Sequence, residues 1–298
     1  MSETVQIDCV VDAKAKTGEG AFWDIDRQCL WWVDIPSGIV YRYDPSSGEN
    51  RAHQLDEPVG CLAPTVKGDL LLATRSGFWR FDPETSAMTA LHDPEADRPA
   101  NRFNDGTTDS KGRLWAGTMK DDGTPPSPEG AFYRLDPDLT SIKWVDGIYT
   151  TNGLAFSPDG RTMYSADSNP SVQTVWAADY DIETGMPGER RPFFDAREVA
   201  GRPDGGTVDA DGCYWMAGVS GWQLVRITPA GKIDRIIELP IERPSKPMFG
   251  GSTLDVLYVT SIGTGLTAGS EARQPHAGGL FAITGLGIQG LPQTRFAG

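Results

Sequence analysis

Short apolar runs rich in β-branched and aromatic residues recur along the chain at one phase. Six of them begin at Leu30, Leu70, Leu114, Met163, Tyr214 and Leu257, at spacings of roughly 40 to 50 residues. A spacing of this size is the period of a four-stranded propeller blade. The runs therefore predict an all-β chain that forms a six-bladed β-propeller, with four-stranded blades around a central channel.

Turn signals and a second class of strand flank these runs. Polar turns such as Ser110-Lys-Gly, Pro158-Asp-Gly and Ala210-Asp-Gly come before them and supply the glycine that a tight hairpin needs. Segments that alternate apolar with polar residues follow, for example Phe78-Trp-Arg-Phe-Asp-Pro. No apolar pattern holds a helical period for long, which excludes a parallel α/β fold.

The 298 residues could hold two average domains, but all-β folds of this length commonly form one. We therefore predict a single propeller domain over residues 1–298. The N-terminal stretch Val5 to Val11 has nothing before it to pair with. We expect it to close the last blade beside the strand that begins at Gly279, which removes a sheet edge.

Charge narrows the range of partners. Asp and Glu number 41 against 27 Lys and Arg, a net charge of -14 that repels phosphate backbones and anionic membrane surfaces. We expect neither nucleic acid nor membrane as a partner. The start of the chain has no basic leader and no apolar segment is long enough to span a bilayer, so we predict a cytoplasmic protein. The sequence leaves the oligomeric state open, and we expect a monomer or small homo-oligomer.

Cysteine and histidine limit the chemistry further. The four cysteines are far apart and form no C-x-x-C pair, so we interpret them as buried free thiols. The three histidines fall in no metal-binding pattern, and there is no G-x-S-x-G elbow. A nucleophilic triad has little support, and any metal site has to be mostly oxygen.

Polar residues beside glycine stand about ten residues before several of the apolar runs, where the innermost strand of each blade is expected to begin. Because blades are radial, such residues converge at the mouth of the channel. Glu19, Asn152 and Asp204 would form an oxygen-rich nest for a divalent cation such as Ca²⁺, Mg²⁺ or Mn²⁺. The alternative is that Asn-Gly and Asp-Gly are ordinary hairpin turns repeated with the fold, although Glu19 is not a favoured turn residue.

The segment Asn101-Arg-Phe-Asn-Asp-Gly is a second unusual feature. Arg102 and Asn104 are alternate residues of an extended chain and point to one side, so together they offer hydrogen bonds to substrate hydroxyls or a carbonyl oxygen. The alternative is structural, with Arg102 paired to Asp105 or to an acid of a neighbouring blade.

Several short motifs together carry a family resemblance. They are Gly18-Glu-Gly, Arg102-Phe-Asn-Asp-Gly, Asn152-Gly-Leu, Pro203-Asp-Gly, Phe249-Gly-Gly and Ala277-Gly-Gly-Leu-Phe. In order and spacing the chain resembles the regucalcin (senescence marker protein) and gluconolactonase family over nearly its whole length. The resemblance implies a six-bladed propeller with one divalent metal held by Glu19, Asn152 and Asp204.

The resemblance also implies the substrate contacts and the reaction. Arg102 and Asn104 match residues that contact substrate hydroxyls in that family, and an acid after Gly-Thr-Met contacts the sugar. Asp121 or Asp122 could serve there, and we take Asp122 as the candidate. The expected reaction is hydrolysis of an aldono-1,4- or 1,5-lactone, with the metal polarising the carbonyl and Asp204 activating water as general base.

The sequence does not identify a single metal ion or a single function. Oxygen ligation fits Ca²⁺, Mg²⁺ and Mn²⁺ and also admits Zn²⁺ and Fe²⁺. A propeller that binds calcium or another ligand without catalysis is one alternative, since the fold alone does not fix function. A metal-dependent esterase that acts on non-sugar lactones is the other.

Overall fold

The computed structural model describes residues 4–298, which contain 25 β-strands and two short 3₁₀ helices, Ala196–Glu198 and Glu271–Arg273. Residues 1–3, on which the expected lack of a leader partly depended, lie outside the described residues. None of the helices in the described part of the chain is long and apolar enough to cross a membrane. The strands form six separate antiparallel sheets.

Each sheet is one blade, and its strands occupy four positions from the channel outwards. The innermost strands define blades 1 to 6 in chain order and are β2 (Gly18–Asp24), β6 (Val59–Pro64), β10 (Asn101–Thr108), β14 (Thr151–Phe156), β19 (Arg202–Val208) and β23 (Pro244–Gly250). The second strands are β3 (Cys29–Asp34), β7 (Leu70–Thr74), β11 (Leu114–Lys120), β15 (Thr162–Asp167), β20 (Tyr214–Val219) and β24 (Val256–Ser261). The third strands are β4 (Ile39–Asp44), β8 (Gly77–Asp82), β12 (Gly130–Leu135), β16 (Thr174–Asp181), β21 (Gln223–Ile227) and β25 (Leu280–Thr284). The outermost strands are β5 (Glu49–Gln54), β9 (Ala87–His92), β13 (Ser141–Ile148), β18 (Arg191–Asp195), β22 (Ile233–Glu238) and β1 (Gln6–Val11).

The predicted six-bladed propeller is confirmed. Every one of the six apolar runs forms the second strand of a blade, and the turn glycines Gly112, Gly160 and Gly212 have positive φ angles of 75°, 65° and 82°. Neighbouring innermost strands contact one another around a closed ring. Blade 4 departs from the plain pattern, because the two-residue strand β17 (Met186–Pro187) shares the outer edge of β16 with β18.

The second strands are visible in the sequence as continuous apolar runs because both their faces are buried. Large side chains such as Trp31, Trp115 and Trp215 pack between adjacent blades with 0–1% of their surface exposed. The outermost strands are mostly exposed instead, as the side chains of β5 and β22 are. Strand β1 pairs antiparallel with β25, so the N-terminal stretch lies at the outer edge of blade 6, beside the strand where it was expected.

The segment after β25 crosses the face of the propeller at which the innermost strands end. Phe296 is fully buried and forms a parallel bridge with Thr65, just beyond β6. Arg295 forms an ion pair with Asp24, the last residue of β2, and Thr108 at the end of β10 donates a hydrogen bond to the Thr294 carbonyl. The tail therefore covers one end of the channel, and the starts of the innermost strands lie at the other.

Candidate functional site

The innermost strands share a bulge that turns their side chains. In each of the six, the pairing register shifts at the same place, where one extra residue is inserted. The shifts lie between Glu19 and Phe22, Val59 and Cys61, Phe103 and Gly106, Asn152 and Ala155, Pro203 and Gly206, and Pro244 and Pro247. A bulge bends its strand and re-aims the neighbouring side chains. Residues beside these bulges therefore converge at one end of the channel.

Two glycines show why the sequence bulges there. Gly20 and Gly153 follow Glu19 and Asn152, and both lie in the left-handed region at φ 59° and 67°. Glycine adopts this conformation without the steric cost that a Cβ atom brings. Because these dipeptides, like Asp204-Gly, lie inside strands, the interpretation of them as hairpin turns is wrong.

Matching aspartates fix the entries to two of these strands. Asp34, at the end of β3, accepts hydrogen bonds from the backbone N–H groups of Lys16 and Thr17 at 3.0 and 2.9 Å. At the end of β15, Asp167 accepts from Tyr149 and Thr150 at 2.9 and 3.1 Å. Each loop enters its innermost strand within two residues of a predicted metal ligand, so the two aspartates hold Glu19 and Asn152 at equivalent positions.

A cavity of about 230 Å³ opens at this end of the channel. Five of the six predicted site residues line it: Glu19, Arg102, Asn104, Asn152 and Asp204. They come from blades 1, 3, 4 and 5 and are separated by up to 185 residues of sequence. The fold thus brings together the residues that the phase argument placed at the channel mouth.

Two carboxylates face this cavity without a cationic partner. Glu19 and Asp204 are only 4% and 6% exposed, and neither forms an ion pair with any residue between 4 and 298. Burial raises the pKa of Glu19 well above its usual value, and the charges of Asp204 and Asp105 raise it further. Burial also raises the pKa of Asp204, and Asp105 adds to this. Arg243, Arg202 and Lys246 offset the rise for Asp204 only in part, and a divalent cation bound to both carboxylates would supply the missing positive charge.

The amide of Asn152 is held with its oxygen available. Its Nδ2 donates to Ser168 Oγ at 2.6 Å, and Ser168 in turn donates to the carbonyl of Pro203, next to Asp204. Its Oδ1 accepts one hydrogen bond from Asn104 Nδ2 at 3.3 Å, which leaves a second lone pair for a cation. With two carboxylates and this amide oxygen, the residues present fit a hard divalent cation.

Arg102 is held by an acid from its own blade. Its Nε lies 2.6 Å from Asp121 Oδ2, and its Nη1 donates to Asn104 Oδ1 at 2.8 Å. The suggested pairing of Arg102 with Asp105 is wrong, because Asp105 pairs with Lys246 instead. Arg102 and Asn104 therefore form one hydrogen-bonded unit on the cavity wall.

The structure does not bring Asp122 to the cavity. Its Oδ1 accepts hydrogen bonds from the backbone and hydroxyl of Thr124, and its Oδ2 lies 3.9 Å from Lys120. These contacts turn Asp122 into the exposed loop 121–129. Asp121, the other acid considered, is the one that reaches the site residues.

Sequence reasoning missed six polar residues that line the cavity: Thr17, Thr150, Ser168, Arg202, Arg243 and Thr264. A signal for the two arginines was present, since each precedes a proline at the start of an innermost strand, in the register that Arg102 occupies on β10. Ser168 follows the last residue of β15 and carries no local pattern.

A separate group of possible metal ligands lies at the outer edge of blade 6. The ligand atoms of Cys9, Asp12 and His276 are within 4.8 Å of one another. Asp12 already pairs with Lys14 at 2.8 Å and with His276 at 3.3 Å. Since the Lys14 ammonium occupies the carboxylate, we assign no metal to this group.

The fold and the cavity together define a six-bladed β-propeller with buried, unpaired carboxylates at the mouth of its channel. The sequence model of the protein family described as SMP-30/Gluconolactonase/LRE-like region matches residues 17–263. Regucalcin from Xenopus laevis is 36% identical over 299 residues, with 99% of each chain covered. The chain therefore belongs to the SMP-30/gluconolactonase/LRE-like family, as the motifs indicated.

Solved structures agree with this assignment. A luciferin-regenerating enzyme superposes with a TM-score of 0.91 at 28% identity, covering 99% of this chain and 100% of that one. A calcium-binding protein, regucalcin from Agrobacterium tumefaciens, superposes with a TM-score of 0.90 at 27% identity, covering 97% and 96%. Both match over nearly their full length.

Proposed function

We propose that this chain is a metal-dependent hydrolase that opens a sugar lactone to the aldonic acid. The observation that carries the proposal is one cavity that combines two unpaired carboxylates with the hydrogen-bonded pair Arg102 and Asn104. Membership of a family whose description includes gluconolactonase supports the same reaction. The proposed reaction belongs to carbohydrate metabolism, and its only partner is the small-molecule sugar lactone.

The cation would be held by Glu19, Asn152 and Asp204. These residues lie on three different blades, and each would contribute side-chain oxygen. When bound, a divalent ion polarises the lactone carbonyl and stabilises the negative charge that develops on its oxygen. Ca²⁺ is our first candidate, because the donors are hard oxygens and the Agrobacterium relative is described as a calcium-binding protein. Mg²⁺, Mn²⁺, Zn²⁺ and Fe²⁺ are to be compared with it.

Arg102 and Asn104 orient the ring. Arg102 Nη2 offers its donors to the ring hydroxyls, and the contacts with Asp121 and Asn104 fix the guanidinium before the substrate arrives. Asn104 supports it from behind, since its own Nδ2 donates to the Thr151 carbonyl and to Asn152 Oδ1. Pre-organised hydrogen bonds of this kind hold the reacting carbonyl in place and lower the entropic part of the barrier.

Asp204 acts as the general base. As water adds to the carbonyl carbon, its proton passes to a carboxylate oxygen of Asp204. When the bond from the carbonyl carbon to the ring oxygen breaks, that proton passes on to the leaving oxygen. The product is an open-chain acid, which ionises and releases one proton to the solution.

The lining of the cavity favours a polyol over an apolar ester. Its apolar side chains are Met119, Val219 and Ile262, and charged, amide or hydroxyl side chains supply most of the rest. A propeller that only stored calcium would have no use for the ordered pair of Arg102 and Asn104. These features rank sugar lactonase above the non-catalytic and esterase alternatives.

Acid release from a panel of pentono- and hexonolactones tests the proposal, with metal-stripped protein resupplied with each of the five ions. We expect metal-dependent hydrolysis that Glu19→Gln abolishes, with Glu49→Gln on the exposed outer strand β5 as the matched control. If the protein binds a cation but accelerates no lactone, the chain is a cation-binding propeller and the proposed reaction is wrong.

We place the protein in the cytoplasm, as a monomer or small homo-oligomer. Its cysteines are all free thiols, and Cys29, Cys61 and Cys213 are buried. Free thiols persist in a reducing compartment. Fractionation and the mass in solution check these two points.

A further inference from the structure

Three arginines occupy equivalent positions at the starts of three innermost strands, Arg102 and Arg202 within β10 and β19 and Arg243 directly before β23. Arg102 and Arg202 pair with Met119 and Val219 immediately before the bulges of β10 and β19, and Arg243 immediately precedes the residue at which the bulge of β23 begins. All three line the cavity. Because the blades are arranged radially, side chains at equivalent positions point towards the channel axis. The three guanidinium groups therefore face the same cavity.

Only one of these three guanidinium groups forms an ion pair within the described part of the chain. Arg102 pairs with Asp121, whereas Arg202 and Arg243 form no ion pair among residues 4–298. The Nε atoms of Arg202 and Arg243 are buried without a hydrogen-bond partner in that range. Arg243 Nη1 donates to the carbonyls of Thr264 and Gly265, which hold the guanidinium but do not neutralise it. An unsatisfied buried donor on a cation is costly unless a ligand completes it.

The charges around the cavity show what such a ligand is. In the protein alone, the two negative charges of Glu19 and Asp204 equal in number the two positive charges of Arg202 and Arg243, although no ion pair joins them in the described residues. Once a divalent cation binds to the two carboxylates, the wall carries an excess of two positive charges. A neutral lactone would leave this excess uncompensated, and an anionic one would reduce it.

We infer that the substrate is a sugar lactone that carries a second, anionic group, a carboxylate or a phosphate, and that Arg202 and Arg243 bind this group. The inference rests on the proposed lactonase function and names its substrate class. Guanidinium groups bind carboxylate and phosphate through paired N–H donors, which is the chemistry that the two buried Nε atoms leave open.

The ring of blades gives the direction in which the ligand lies. Arg102 and Asn104 belong to blade 3, and Arg243 belongs to blade 6, three positions away in a ring of six. Arg202 stands beside Asp204 on blade 5. A ligand with its hydroxyls on blade 3 therefore extends its other end towards Arg202 and Arg243.

Matched lactones test the inference. Each neutral aldonolactone is compared with the aldarolactone of the same ring, which ends in a carboxylate, and with the 6-phosphoaldonolactone. We expect kcat/KM to favour at least one anionic lactone by about 10-fold or more, the effect of one hydrogen bond to a charged group. Arg202→Gln and Arg243→Gln should each reduce that preference by about 10-fold. Arg51→Gln, on the outer strand β5, removes a charge outside the cavity and should not change it.

A binding measurement separates this inference from the proposed reaction. Calorimetry compares galactarate, which carries two carboxylates, with galactonate, which carries one, on Ca²⁺-loaded and metal-free protein. Tighter binding of galactarate that Arg202→Gln abolishes supports the inference even if no lactone is hydrolysed, in which case only the proposed reaction is wrong. Hydrolysis of neutral lactones as fast as anionic ones, with equal binding of the two acids, overturns the inference and leaves the proposed reaction intact.

Discussion

Lys246 and Asp105 form an ion pair across the channel. The distance from Lys246 Nζ to Asp105 Oδ1 is 2.7 Å, and the two side chains are 1% and 0% exposed. Lys246 belongs to blade 6 and Asp105 to blade 3, so the pair joins opposite sides of the ring. Asp105 also accepts a hydrogen bond from the backbone of Leu154 in blade 4 at 2.9 Å. The interior of the propeller is therefore tied together by charge as well as by apolar packing.

Replacing one partner of this pair should destabilise the whole fold. We expect Lys246→Met to lower the free energy of unfolding by about 3–5 kcal/mol, because it leaves the Asp105 carboxylate buried without a counter-charge. Urea denaturation followed by tryptophan fluorescence measures the loss. The double variant Lys246→Met with Asp105→Asn should regain part of it, since no charge then stays unpaired. A loss below about 1 kcal/mol for the single variant would mean that the pair is as weak as a surface salt bridge.

Asp121 should matter more than Asp122 for substrate binding. Asp121→Asn removes the charge that fixes Arg102, so we expect KM to rise by about 10-fold, the effect of one charge-assisted hydrogen bond. Asp122→Asn is the matched control, because its carboxylate contacts Thr124 instead. Steady-state kinetics on the preferred lactone decide between them. A larger rise in KM for Asp122→Asn would show that the loop rearranges when substrate binds.

Ser168 should tune the affinity for the cation. Its hydroxyl holds the amide of Asn152 and links it to the backbone next to Asp204. We expect Ser168→Ala to weaken cation binding by about 10- to 100-fold, as loss of a group that orients a ligand does. Calorimetric titration with Ca²⁺ measures this, with Ser171→Ala in the exposed loop as control. Equal affinities would show that Asn152 needs no such support.

Asp24 gives the protein an acid-sensitive contact with its C-terminal tail. Burial alone raises the pKa of Asp24, but hydrogen bonds from Arg295 and Arg27 outweigh it and lower the pKa below its usual value. Since the folded pKa lies below the unfolded value of about 3.9, the stabilisation is complete above that pH and is lost as the pH falls through the folded pKa. We expect Asp24→Asn to lower the free energy of unfolding by about 2 kcal/mol at pH 7, and by less at pH 3.

Unfolding curves of both proteins at the two pH values test this dependence. Asp26→Asn is the control, because Asp26 contacts the same Arg295 at 2.9 Å but is 69% exposed, and exposed pairs contribute about 0–1 kcal/mol. A deficit of Asp24→Asn that stays constant or grows in acid would contradict the assignment.

The blades could be predicted from the sequence because their strongest signal is local. The run at Leu114 or at Tyr214 is apolar on both faces, and a glycine turn precedes each by a few residues. The spacing of these runs also places three polar residues at equivalent positions, about ten residues before the runs of three different blades. They are Glu19, Asn152 and Asp204. The structure brings all three to one cavity.

The remaining features depend on contacts between distant residues. No local sequence pattern predicts that Ser168 contacts Asn152 or that Asp121 contacts Arg102. The bulges insert one residue each, which leaves the apolar pattern of the next strand unchanged. Arg202 and Arg243 could have been found by comparing their register with Arg102, but only after the bulges are known.

The most direct test of the proposed function is a titration of metal-free protein with the activating ion while acid release from the preferred lactone is recorded. We predict that hydrolysis rises in proportion to added metal and stops rising at one ion per chain, and that Asp204→Asn binds substrate but shows a kcat lower by about 100-fold or more. Hydrolysis that proceeds without metal, or that Asp204→Asn leaves unchanged, would contradict the account.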